Sequence, residues 1–79
     1  MSISPHKIEA KAIAVWFDND MLHVRLLDGR KISVPLEWFP KLRDATDKQR
    51  KNWRLIGMGF GIHWVDLDED ISVAELMAV

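Results

Sequence analysis

Cysteine and tyrosine are both missing from this 79-residue chain. Without cysteine there is no disulfide framework and no zinc–thiolate site. The lack fits a reducing compartment. The only serines are Ser2, Ser4, Ser33 and Ser72, and none lies in a Gly-x-Ser-x-Gly elbow, so a catalytic triad is not expected. No apolar run approaches the roughly 20 residues that cross a bilayer. Met1 to Lys11 lacks the apolar stretch of a secretory signal, and a cytoplasmic location is expected. Linkers, repeats and low-complexity tracts are absent as well. The length suits one domain, expected over residues 10–79 behind a flexible segment 1–9. A domain of this size buries only about 60% of its unfolded surface and has little room for a deep, closed cavity.

The net charge of −1 argues against strong non-specific binding of nucleic acid. Its distribution is uneven. Lys41, Arg43, Lys48, Arg50, Lys51 and Arg54 face only Asp44 and Asp47 within residues 41–54, a local +4. Residues 55–79 hold Asp66, Asp68, Glu69, Asp70 and Glu75 with no Lys or Arg, a local −5. Such runs are commonly solvated faces. They also suit two oppositely charged surfaces, one of which meets a partner.

Apolar periodicity sets the fold class. Ile13, Val15 and Phe17 alternate with Ala12, Ala14 and Trp16, and the first set is expected inward. Asp18-Asn19-Asp20 is a turn cluster. Leu22, Val24 and Leu26 then alternate with His23, Arg25 and Leu27. Asp28-Gly29 predicts a type I′ hairpin turn, and Ile32 and Val34 continue the inward face. Pro35 and Pro40 bracket a bent or 3₁₀ segment, and Pro40 suits the first position of a short helix. Thr46 and Gln49 have capping-box spacing for a second helix, as do Ser72 and Glu75 for a last one running to Val79. Trp53–Met58 and Gly61–Val65 read as strands, and Asp66–Asp70 as a loop. The expected class is α+β: a three-stranded antiparallel meander, short helical segments, two further strands and a short C-terminal helix.

Chemical motifs are sparse. Gly57-Met58-Gly59-Phe60-Gly61 lacks the Lys-Ser/Thr of a phosphate loop and reads as a tight turn or bulge. Asp66, Asp68 and Asp70 open like a calcium loop, but Ile71 and Met77 stand where Gly and Glu are needed, so no metal site and no cofactor is implied. His63 beside those acids could work as an acid–base pair in a small hydrolase, and equally as a hydrogen-bonded structural histidine. Four tryptophans, Trp16, Trp38, Trp53 and Trp64, are more than so small a fold can hide, so one or two should stay partly exposed. Exposed indoles anchor protein interfaces or stack on nucleobases.

Three stretches carry a resemblance: Asp28-Gly29-Arg30; Val34-Pro35-Leu36-Glu37-Trp38-Phe39-Pro40-Lys41-Leu42; and Gly61-Ile62-His63-Trp64 with Leu67 through Val73. Over residues 10–79 the chain resembles a widespread bacterial family of small domains of unknown function. The resemblance implies a compact α+β fold and gene neighbours similar to toxin–antitoxin pairs. Some members add a helix-turn-helix domain, and none follows Val79 here, so direct operator binding is not expected. Val65 stands where the family often has Pro.

The expectation is therefore a non-enzymatic, antitoxin-like module that binds a small, neighbour-encoded protein through Trp38, Phe39, His63, Trp64, Asp66, Asp68 and Asp70. Nucleic-acid binding through Lys41, Arg43, Lys48, Arg50, Lys51 and Arg54 is the alternative, and a hydrolase built on His63 the second. A homodimer through the last helix or an open meander edge is a separate expectation. No membrane contact is implied.

Overall fold

A computed structural model describes residues 10–77. The expected flexible segment 1–9 and the end of the expected C-terminal helix, residues 78 and 79, lie outside the described residues. The first half is the meander read from the sequence: β1 (Ala12–Phe17), β2 (Met21–Leu26) and β3 (Lys31–Pro35) in the order β1-β2-β3, all antiparallel. Leu22, Val24 and Leu26 are fully buried and form the inner face of its central strand.

Two details of this sheet differ from the periodic expectation. Ile13 is half exposed, while Ala12 and Val15 are buried. A β-bulge between Ala12 and Ala14 inserts one residue, so the alternation changes phase and Ile13 turns outward. The β2–β3 connection is not a type I′ turn. Gly29 alone has a positive φ, +98°, and the Gly29 N–H donates to the Leu26 carbonyl at 3.0 Å. The three-residue loop Leu27–Gly29 thus places a single left-handed residue after an ordinary turn, the other common hairpin solution.

Pro35 ends β3. A 3₁₀ turn, Leu36–Trp38, and a short helix α1 (Pro40–Arg43), with Pro40 at its first position, follow as the sequence suggests. Helix α2 (Asp47–Lys51) has both halves of its capping box: the Gln49 N–H donates to Thr46 Oγ1 at 3.1 Å, and the Thr46 N–H to Gln49 Oε1 at 2.9 Å. These helices have one turn or so of backbone, so tertiary packing must hold them.

The second half is another meander: β4 (Trp53–Ile56), β5 (Gly61–Trp64) and β6 (Glu69–Ser72) in the order β4-β5-β6. Strand β6 takes over the last two residues, Glu69 and Asp70, of the expected Asp66–Asp70 loop. Its alternation is hidden because Asp70 faces outward and Ile71 inward within an acidic run. Helix α3 (Val73–Met77) closes the fold, packs against β3, and has the Glu75 N–H bonded to Ser72 Oγ at 3.1 Å. Between β4 and β5, Gly57, Met58 and Gly59 all have positive φ. At Gly59 a Cβ would stand 3.1 Å from the Ala12 carbonyl oxygen, so the close approach of this turn to β1 requires glycine.

Both sheets give their inner faces to one core, where Ile62, Trp64 and Ile71 meet Leu22, Val24, Leu36, Leu42, Val73 and Leu76. Trp64 is the largest side chain there and is 0% exposed. Its ring meets Phe17 of β1 edge-on, with centroids 6.3 Å apart, and its Nε1–H donates to the Arg50 carbonyl at 3.0 Å.

Replacing Trp64 by Ala removes that packing and leaves the Arg50 carbonyl unpaired, at a cost of about 3–5 kcal/mol. Against a small domain's total of roughly 5 kcal/mol this is most of the stability. Urea titration followed by far-ultraviolet circular dichroism should show the transition of Trp64→Ala lost or moved to very low urea. A midpoint equal to the parent's would contradict the central place given to this indole.

Candidate functional site

The residues expected to meet a partner do not share one environment. Trp38 sits on the 3₁₀ turn between two prolines and is 50% exposed. Phe39, beside it, is partly buried against the core. Trp64 lies wholly inside, where a partner surface cannot reach it. The sequence pattern missed this because β5 alternates Gly61, His63 outward against Ile62, Trp64 inward, which only the pairing to β4 and β6 decides. His63 is on the outer face between Arg54 of β4 and Asp70 of β6, and its Nδ1 is hydrogen-bonded to Asp70 Oδ1. Asp66, Asp68 and Asp70 are exposed.

Two of these pieces are joined. Lys41 of α1, three residues after Trp38, reaches the acidic segment: its Nζ donates to the Asp68 carbonyl at 3.5 Å and stands 3.9 Å from Glu69 Oε1. At the other end Asn52 Nδ2 donates to Asp66 Oδ2 at 3.1 Å. The acidic turn Val65–Leu67 and the left-handed Asp68 after it are thereby tied to α1 and to the C-cap of α2. No three His, Asp or Glu side chains among the described residues converge as metal ligands do.

The basic run 41–54 is partly spent on structure. Arg43 Nη1 and Nε bond Glu37 and Asp44, each at 3.0 Å, and these carboxylates, Asp44 first, raise the guanidinium pKa above its ordinary value. Arg50 donates to the Leu42 and Arg43 carbonyls at 2.8 Å each and lies over the Phe17 ring at 5.6 Å. Lys41 holds the acidic segment. Lys48, Lys51 and Arg54 have no carboxylate partner among the described residues. Half of the nucleic-acid footprint expected from the sequence is thus turned inward or neutralised.

One arrangement had no sequence signal. On the outer face of the first sheet, His23 Nδ1 lies 2.7 Å from Ser33 Oγ and His23 Nε2 lies 2.8 Å from Asp18 Oδ2. A neutral ring with its proton on Nε2 donates to an ionised Asp18 and accepts from the Ser33 hydroxyl at Nδ1. The ring is stacked on Trp16 at 5.5 Å. Asp18 comes from the β1–β2 turn, His23 from β2 and Ser33 from β3, and only the register His23↔Ser33 brings them into line. The group lies on an open sheet face rather than in a cleft, and it ties the turn to the far strand.

Comparison with known proteins places this geometry in context. Residues 12–78 match a family of proteins of unknown function, DUF2442. A crystal structure of a protein of unknown function from Rhodospirillum rubrum is 31% identical, covers 86% of this chain and 84% of its own, and superposes with a TM-score of 0.74. Among curated proteins none matches this chain.

The His23 bond is the largest cause holding the Asp18 carboxyl below its ordinary value of 3.8, and the Asp20 and Met21 N–H groups add to it. A carboxylate lowered in the folded state stabilises it above the unfolded pKa and ceases to do so as pH falls through the folded one. Asp18→Asn should therefore have a lower urea midpoint at pH 7, with the gap closing below about pH 4. A gap of constant size from pH 7 to 2 would show that the charge of Asp18 does not matter.

Proposed function

The chain belongs to the DUF2442 family of proteins of unknown function, and from that premise we propose that it is a non-enzymatic, antitoxin-like module that binds a small protein encoded beside it. The observation that carries this reading is the half-exposed indole of Trp38, held on a turn between Pro35 and Pro40 and linked through Lys41 to the exposed acids. An indole on a proline-bracketed turn loses little conformational freedom on binding, which favours its use as an anchor. Asp66, Asp68 and Asp70 supply the rim. Their charge suits a basic partner and would act more on the rate of encounter than on the final affinity. His63, bonded to Asp70, sets the position of that carboxylate. Phe39 backs the anchor from inside, and Trp64 supports the whole arrangement without touching the partner.

The test is co-expression of this chain with its gene neighbour, followed by affinity capture. The parent should retain the neighbour's product. Trp38→Ala should weaken the complex by about thirtyfold, equivalent to roughly 2 kcal/mol, with its urea midpoint nearly unchanged. Reversing Asp66 and Asp68 to Lys should slow association and flatten its dependence on salt. Failure of the parent to capture the product, or equal capture by Trp38→Ala, would overturn the reading.

A further inference from the structure

A groove on another part of the molecule shares no residue with the surface just described. It has a volume of about 530 Å³ and runs between the second half of β1 and the wall formed by α2 and the start of β4. Val15, Trp16 and Phe17 form one side; Asp47, Arg50, Lys51 and Trp53 form the other.

Strand β1 is an edge. Among the described residues its only strand neighbour is β2, and its sequence, Ala-Ile-Ala-Val-Trp-Phe, has no charge and no proline to discourage pairing. The direction of its free groups follows from the hairpin. The Asp18 N–H donates to the Met21 carbonyl at 3.2 Å, so Asp18 and Met21 are a hydrogen-bonded pair. In an antiparallel ladder bonded and non-bonded pairs alternate. With the register Phe17↔Leu22, Trp16↔His23 and Val15↔Val24, the bonded pair is Trp16 with His23. Phe17 and Val15 therefore turn their N–H and C=O groups away from β2, toward the groove. No described residue takes up these groups, although Val15 itself is buried. Backbone groups in such a place call for partners.

The geometry points to this groove as a site where an extended peptide, apolar with interleaved acidic residues, adds as a fourth strand to β1. Strand addition draws its affinity from main-chain hydrogen bonds and its selectivity from alternate side chains. An incoming residue facing the core side would lie against Phe17 and Trp53. The charge of the peptide is set by what is unspent on the wall. Arg50 is committed to the Leu42 and Arg43 carbonyls and Asp18 to His23. Lys51 on the groove has no carboxylate partner among the described residues, and Lys48, three residues before it on α2 and outside the groove lining, has none either; Asp47 is the acid beside them. Because α2 stands across the groove from β1, the edge of a second copy would have to bring its own α2 and β4 with it.

The experiment uses the full chain, labelled with ¹⁵N, and an acetylated six-residue peptide alternating valine and glutamate. Titration should be saturable, with the largest amide shifts and new protection from deuterium exchange at Val15 and Phe17. Peptides N-methylated at every other amide, made in both frames, should include one that binds about tenfold more weakly. Lys51→Glu should bind the glutamate peptide more weakly and a valine–lysine peptide more tightly. The proposal is overturned by a lack of saturable binding, by indifference to methylation in both frames, or by shifts centred on Trp38 instead. It is equally overturned if the Val15 and Phe17 amides are already protected before peptide is added. Sedimentation would then tell whether a second copy or the chain itself holds that edge.

Discussion

A single buried indole holds the two sheets in register. Trp64 belongs to the second meander, yet its ring meets Phe17 of the first and its N–H ends on the carbonyl of Arg50. That residue's guanidinium in turn bonds two carbonyls of α1 and lies over the ring of Phe17. Four elements that are too short to persist alone, β1, α1, α2 and β5, are thus fastened at one point. Buried polar groups must be paired, so the site accepts few alternatives: the indole has one donor, and one carbonyl waits for it.

That fixed point shapes the surface. Room for one whole indole in so small an interior leaves Trp16 and Trp38 at the boundary, 38% and 50% exposed. Positive charge written densely into residues 41–54 does not become an equally dense positive face. Arg50 and Arg43 are drawn onto carbonyls and local carboxylates, and Lys41 onto the acidic segment. The acids have fewer internal uses and remain outside. Of the basic residues in 41–54, Lys48, Lys51 and Arg54 are left without a carboxylate partner among the described residues, while Asp66, Asp68 and Asp70 stay exposed.

The same plan occurs in both halves. Each is a three-stranded meander closed by short helical structure, and each central strand carries an outward histidine bonded to the strand after it: His23 to Ser33, His63 to Asp70. No repeat is visible in the sequence, because the second hairpin loop is built differently and β6 is disguised by its acids. A central strand with a polar outer residue tied across to its neighbour is a local device against slippage, since a one-residue shift would send that histidine into the core.

Local signals in the sequence were enough for the meander, the capped helix at Thr46–Lys51, the proline-bracketed turn before α1 and the start of the last helix. Each depends on residues within a few positions of one another: alternation along a strand, a side chain reaching N3, a ring that sets φ. The surface character of Asp66, Asp68 and Asp70 was legible for the same reason. What tertiary structure alone decided was the bulge that turns Ile13 outward, the recruitment of Glu69–Ser72 as a strand, and the choice of Trp64 as the buried indole. It also decided the alignment of Asp18, His23 and Ser33, and the open edge of β1 across from α2. These depend on strand register and on which sheet covers which face, contacts between residues far apart in the chain that no local pattern records.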